Sequence, residues 1–169
     1  MMQFLTWLEE WPLSVWVRES GALLAYPTIL FLHTIGLAVV VGLSAAISLR
    51  ALGVAPSIPC APLQAYFRIL WWGFWVNAAA GALLLVADAT TTLTNPVFHI
   101  KMVLVFAAMC ATIRLRGSLR RAAAAPDAQV NMRTWGCLCL LLWVGAVTAG
   151  RLMAYVGVVS GAPGLRNSL

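Results

Sequence analysis

The sequence predicts an all-α integral membrane protein, an up-down four-helix bundle with an amino-terminal amphipathic surface helix. Of its 169 residues, 62% are hydrophobic and only 9% are charged, and the mean hydropathy is +0.90. Soluble domains carry about 25% charged residues, and a core of this size cannot bury such an apolar excess. The second observation is four apolar stretches of about 20 residues or more, the length that crosses a bilayer.

The segment before the first apolar stretch, at about residues 3–18, predicts a helix on the membrane surface. Aromatic side chains such as Trp7 and Trp16 alternate there with acidic ones such as Glu9. Tryptophan favours the interface because its ring is apolar while its N–H needs a polar partner. Such an amphipathic segment is typical of a helix that lies in the interfacial plane, and we expect Pro12 to break it.

The four apolar stretches predict one transmembrane domain that covers residues 1–169. The loops between them are short, which favours antiparallel packing of successive helices. We place the spans at about 22–49, 66–87, 97–115 and 134–159.

The distribution of arginine predicts the orientation. The loop after the first span holds Arg50 and Arg68 without an acid, and the loop after the third span holds five arginines against Asp127. Both loops should therefore be cytoplasmic, with both termini on the outer, periplasmic side. Since the basic residues gather at helix ends, we expect the lipid bilayer and no nucleic acid as a partner.

Three ionisable side chains are predicted at a similar depth in the bilayer. Measured from the cytoplasmic arginine of each helix, His33, His99 and Arg151 lie about 26, 22 and 27 Å along the helix axis. An ionisable group in hydrocarbon costs several kcal/mol and therefore needs a partner or a function.

Haem b is the leading hypothesis for a cofactor. Two imidazoles at one depth can bind a haem iron from opposite faces, so we expect His33 and His99 to be the metal ligands. Lys101 and Arg151 would pair with the propionates, and Gly36 would leave room for the macrocycle. The protein would then be a redox-linked electron-transfer subunit that works between a membrane quinone and an outward-facing partner.

A structural role accounts for the same side chains. His99 then faces the interface, His33 bonds a neighbouring helix through Asn77, and Arg151 extends its charge outward. In that case the protein is a cofactor-free accessory or anchoring subunit of a larger membrane complex. No residue set predicts a hydrolase or a transferase, so a stand-alone enzyme is not expected.

A stripe of small and polar residues marks one face of the second span. Gly73, Asn77 and Gly81 recur every four residues, and Asp88 follows further out. Small residues at this spacing let helix backbones approach, and asparagine can hydrogen-bond across the contact. We interpret the stripe as a packing face and Asp88 as an interfacial carboxylate paired with Lys101.

Several short motifs run from about Phe4 to Gly157. Together they resemble an uncharacterised bacterial family of small four-helix inner-membrane proteins. The resemblance implies a bacterial inner membrane and places His33, Lys101 and Arg151 on motif positions, whereas Leu30 and His99 depart from the pattern. The motifs are Arg18-Glu19-Ser20, Tyr26-Pro27, His33-x-x-Gly36, Leu49-Arg50-x-Leu52-Gly53, Phe98-x-x-Lys101-Met102 and Gly150-Arg151.

A looser similarity to the membrane domain of copper-resistance proteins of the D type implies a third hypothesis, copper or small-solute handling. His33, Met102 and Met153 would be the residues involved, because imidazole and thioether ligands suit copper. Cys137 and Cys139 are not expected to chelate one ion, because residues two apart on a helix point to different faces.

Overall fold

The structure is a computed structural model of the chain and describes residues 2–19, 25–122, 128–153 and 155. These residues are almost entirely helical and include no strand, so the predicted all-α four-helix bundle is confirmed. The helices are α1 (Met2–Glu9), α2 (Pro12–Glu19), α3 (Tyr26–Leu52), α4 (Cys60–Ala87), α5 (Ala89–Thr94), α6 (Pro96–Ala122) and α7 (Ala128–Leu152).

The four long helices, α3, α4, α6 and α7, have the length and apolar composition of membrane-spanning helices. The chain is accordingly a multi-pass membrane protein. All four long helices extend past the predicted spans: α3 continues to Leu52, α4 begins at Cys60, α6 continues to Ala122 through its arginines, and α7 begins at Ala128. A helix continues beyond the apolar stretch because its backbone hydrogen bonds do not depend on lipid. The predicted span residues 22–24, 154 and 156–159 lie outside the described residues.

The amino-terminal segment forms two helices with a break before Pro12, which begins α2. The Ser14 hydroxyl donates a hydrogen bond to the Leu8 carbonyl at 2.7 Å and ties α2 to α1. Leu5 and Val17 are buried, because α1 and α2 lie against α4. On the opposite face four large aromatic side chains are about half exposed, as expected of an interfacial helix: Phe4, Trp7, Trp11 and Trp16.

A short helix that we did not predict, α5, joins α4 to α6. A Glu9 carboxylate oxygen accepts a hydrogen bond from the Thr90 main-chain N–H at 2.6 Å, so α1 satisfies a free donor in the first turn of α5. The Asn95 side chain accepts from the Val97 N–H at 2.9 Å and caps α6, which begins at Pro96. We call this end of the bundle the α5 end and the opposite end, where the arginines gather, the arginine end.

The four long helices are not packed evenly. α3 packs along α4, α6 packs along α7, and α3 and α7 join the two pairs, whereas α4 and α6 touch only sparsely. The core between the joined helices includes Val40, Phe67, Leu115 and Trp143. The side between α4 and α6 therefore remains open as a groove.

The tightest contact of the bundle is the crossing of α3 and α4. A β-carbon at position 36 would lie 2.7 Å from the Asn77 main-chain nitrogen and 2.8 Å from the Gly73 carbonyl oxygen. A β-carbon at position 73 would lie 2.7 Å from Val39 Cγ1. The prediction that Gly36 leaves room for a macrocycle is wrong, because the backbone of α4 occupies that space.

Two glycines of α3, Gly36 and Gly42, can be used to test how far stability depends on the close contact between α3 and α4. We expect Gly36→Ala to lower the free energy of unfolding by about 1–3 kcal/mol, because the added methyl group forces the backbones apart. Gly42 has no neighbour within 4 Å of its β-position. Gly42→Ala should leave stability unchanged or raise it by up to about 1 kcal/mol through helix propensity.

The measurement is unfolding of each variant in mixed micelles, followed by circular dichroism. Equal changes in the free energy of unfolding for the two substitutions would show that the α3–α4 contact does not require a glycine at position 36.

Candidate functional site

A cavity of about 390 Å³ lies between α4 and α6 toward the α5 end, and we call it the His33 cavity. Four polar side chains line it, one from each of four helices: His33, Asn77, Thr92 and Lys101. Its volume and its few polar groups in an apolar wall are typical of a small-molecule site. The remaining lining residues are Phe74, Ala78, Gly81, Ala82, Leu84, Leu85, Phe98, Met102, Val105 and Met153.

His33 is held on α4 by one hydrogen bond and one glycine. Its Nδ1 lies 2.9 Å from the main-chain carbonyl oxygen of Asn77. A β-carbon at position 81 would lie 2.9 Å from His33 Cε1, so the ring rests directly on Gly81. Because a carbonyl oxygen only accepts, Nδ1 carries the proton, and the neutral ring keeps a lone pair on Nε2. In the described residues nothing hydrogen-bonds to Nε2.

Lys101 is the cation of this cavity. Its side chain passes Gly150 of α7, where a β-carbon would lie 3.7 Å from Cε and 3.9 Å from Nζ. The ammonium is half-buried and has no acidic partner in the part of the chain that the structure describes. The predicted pair with Asp88 is not formed, because Asp88 is exposed at the junction of α4 and α5. Among the described residues, Lys101 is therefore a cation without an acidic partner within a candidate membrane-spanning helix, where an unpaired charge is costly.

His99 lies outside the His33 cavity. It is exposed, and its Nε2 donates to the Leu93 carbonyl at 3.0 Å. Residues two apart on an α-helix are turned about 200° from each other, so a helix that points Lys101 into the cavity points His99 away. The structure thus offers this cavity one histidine and not the expected pair.

Three other residues discussed from the sequence, Arg151, Cys137 and Cys139, also lie apart from the cavity. Arg151 is exposed on α7 and does not line it, so Lys101 is the only expected propionate partner found there. Cys139 is buried with its sulfur 3.3 Å from the Thr112 hydroxyl, while Cys137 is exposed. By contrast, Met102 and Met153 do line the cavity with His33.

The stripe on α4 contributes to the site through its backbone. Gly73 and Asn77 face α3 where the two helices cross. The main-chain carbonyl of Asn77 accepts a hydrogen bond from His33 Nδ1–H. The Asn77 side-chain oxygen is buried without a hydrogen-bond partner at the wall of the cavity. In residues 2–19, 25–122, 128–153 and 155, no group of three or more His, Cys, Asp or Glu is placed to hold a metal.

Thr92 is the polar residue of the cavity that sequence reasoning missed. It lies on α5, whose Thr-rich sequence has a low helix propensity. The sequence does indicate a helix boundary at Asn95-Pro96, where a capping residue is followed by a proline at the first helical position. That pair separates residues 89–94 from α6 as an element of their own.

Comparison of the chain with protein-family models, with curated proteins and with solved structures gives no match. The resemblance to the small four-helix family stays a prediction, and the function is inferred from the site itself.

The two histidines should have opposite tautomers when neutral. His33 should carry its proton on Nδ1 and His99 on Nε2, because each ring donates to a carbonyl oxygen through that nitrogen. Nitrogen-15 NMR of histidine-labelled protein in micelles at alkaline pH distinguishes the two forms, and His99→Gln assigns the signals.

Gly81→Ala should remove the Nδ1–H signature of His33 and leave that of His99, because the methyl group displaces the ring from α4. A proton on Nε2 and none on Nδ1 of neutral His33 in the wild type would refute the placement of its ring against the Asn77 carbonyl.

Proposed function

We propose that the protein is a redox-linked membrane protein that binds the head group of a membrane quinone in the His33 cavity. The observation that carries this proposal is that Lys101 and His33 line one cavity, where among the described residues the Lys101 ammonium has no acidic partner and His33 Nε2 has no hydrogen bond. An unpaired cation at membrane depth indicates a functional site. A ligand that supplies an acceptor to Lys101 and a donor to His33 would satisfy both.

A quinone and its reduced form supply these two groups. The quinone carbonyl oxygen accepts a hydrogen bond from Lys101, and the quinol hydroxyl donates one to His33 Nε2. The quinol supplies both groups at once, because one hydroxyl can donate to Nε2 while the oxygen of the other accepts from Lys101; the oxidised quinone and a simple carboxylate supply only the acceptor. The apolar wall, with Phe74 and Phe98, suits a flat ring, since aromatic rings pack edge-to-face or offset.

The proposed location follows from the charges at the two ends. If the arginine end is cytoplasmic, both termini and the His33 cavity lie toward the outer face of a bacterial inner membrane. The half-exposed tryptophans of α1 and α2 then lie at the outer interface. In this orientation, the quinone head would lie on the side of the membrane where an outward-facing redox partner could reach it.

A haem with one protein ligand is the second candidate. The specific observation is that His33 donates Nδ1–H to a main-chain carbonyl, the arrangement that usually orients a metal-ligating histidine. His33 would bind the iron through Nε2, and Lys101 would pair with a propionate. Copper fits less well, although Met102 and Met153 line the cavity, because the Lys101 ammonium repels a cation.

Replacement of Lys101 by an uncharged residue tests the proposed quinone binding. We expect Lys101→Met to weaken binding of a short-tailed quinone by about 10- to 100-fold, the effect of losing one charge-assisted hydrogen bond. Saturable quenching of tryptophan fluorescence in nanodiscs reports binding, because Trp71 and Trp75 line the adjoining part of the groove.

Arg151→Met is the matched control, since it removes an exposed cation that does not line the cavity. The Arg151→Met variant should bind the short-tailed quinone with the affinity of the wild type. No saturable quenching in the wild type, or equal losses in the two variants, would contradict quinone binding at Lys101.

An absorption spectrum decides the haem candidate. Protein purified from haem-replete cells should show a Soret band that His33→Ala abolishes and His99→Ala retains, because only His33 lines the cavity. A colourless wild-type preparation, or a band that persists in His33→Ala, would remove the haem assignment.

A further inference from the structure

A second cavity of about 420 Å³ adjoins the His33 cavity and continues along α4 and α6 toward the arginine end. Phe74, Met102 and Val105 line both cavities, so the two lie next to each other along α4 and α6. Apart from Cys110, every residue that lines the second cavity has an apolar or aromatic side chain. Between Lys101 and Ile113, the two cavities extend about 18 Å along α6 at 1.5 Å per residue.

We infer that the second cavity holds the isoprenoid tail of the ligand whose head group occupies the His33 cavity. This inference rests on the proposed quinone site and adds the position of the tail. The groove is polar at one end and apolar along the rest, which is the polarity of a membrane quinone. The tail would lie between α4 and α6 and point to the arginine end.

The open side of the bundle gives such a tail both a wall and access from the lipid. Trp75 is 61% exposed and Phe106 is 72% exposed, so the groove faces the bilayer and not the core. The rings of Trp71 and Phe74 meet edge-to-face at 5.7 Å, and those of Phe74 and Trp75 at 5.4 Å. This aromatic wall offers a large apolar contact area at a small cost in side-chain entropy.

A helix from a second copy of the chain would not satisfy the same site. The chain has five acidic residues, and none of them lies within α3, α4, α6 or α7. A second bundle thus brings no carboxylate from its long helices to Lys101. A lipid with an oxygen-bearing head group meets both the charge and the apolar groove.

The experiment compares two quinones with the same head group, one with a long isoprenoid tail and one without a tail. Cys110→Trp fills the groove, and it should weaken binding of the long-tailed quinone by about tenfold, the effect of losing about ten van der Waals contacts between heavy atoms of the tail and the groove wall. Binding of the tail-less quinone should not change. Cys137→Trp is the matched control, because Cys137 is exposed on α7 and lines neither cavity.

Chemical modification of the wild-type cysteines tests, without a substitution, whether the quinone tail lies in the groove. Saturating long-tailed quinone should slow alkylation of Cys110 by N-ethylmaleimide, measured by mass spectrometry of peptides, and leave Cys137 unaffected. Both cysteines are free and exposed, so each is open to the reagent.

The outcomes separate the two proposals. Wild-type affinity of Cys110→Trp for the long-tailed quinone, together with unprotected Cys110, would overturn the tail groove and leave the head site standing. Absence of tail-less quinone binding that depends on Lys101 would overturn the head site instead. A change of oligomeric state in Cys110→Trp would identify the groove as a protein interface and overturn the inference.

Discussion

The close approach of α3 and α4 is the contact on which the rest of the structure depends. Apolar burial does not drive helices together in lipid, so they associate through close van der Waals packing and hydrogen bonds. Gly36 and Gly73 bring the two backbones into direct contact. One turn beyond, the same approach places the Asn77 carbonyl within hydrogen-bond distance of His33 and leaves the ring resting on Gly81. The orientation of the imidazole is thus a consequence of helix packing.

The same packing leaves the opposite face of α4 open. The small residues of α4 are used against α3, and its large aromatic side chains, such as Trp75, remain exposed beside α6. α6 is held by α7, and the Lys101 side chain lies beside Gly150 of α7 as it extends toward the cavity. The site therefore combines a histidine oriented by one helix pair with a lysine placed by the other.

The sequence predicts the fold well because the length of an apolar stretch and the position of arginines are properties of the chain alone. It also identifies His33 and Lys101, since ionisable residues in apolar stretches are rare. It does not show how a helix is rotated about its axis, which is set by packing between helices. His99 and Lys101 have nearly the same depth, yet only Lys101 lines the cavity. α5 was missed because its threonines favour helix weakly, and Glu9 of α1 supports it from a distant part of the chain.

The two ends of the cavity differ in what closes them. Toward the α5 end, Thr92 of α5 lines the cavity, and α1 binds the first turn of α5 through Glu9 and Thr90. Toward the arginine end, the cavity continues into a groove whose aromatic side chains are exposed along α4 and α6. A ligand that enters and leaves along the groove would stay in the hydrocarbon region throughout. A ligand that enters past α5 would have to break the contact between α1 and α5. The ligand that we propose is thus a molecule that already resides in the bilayer, and Lys101 is the charge that it would neutralise or bond.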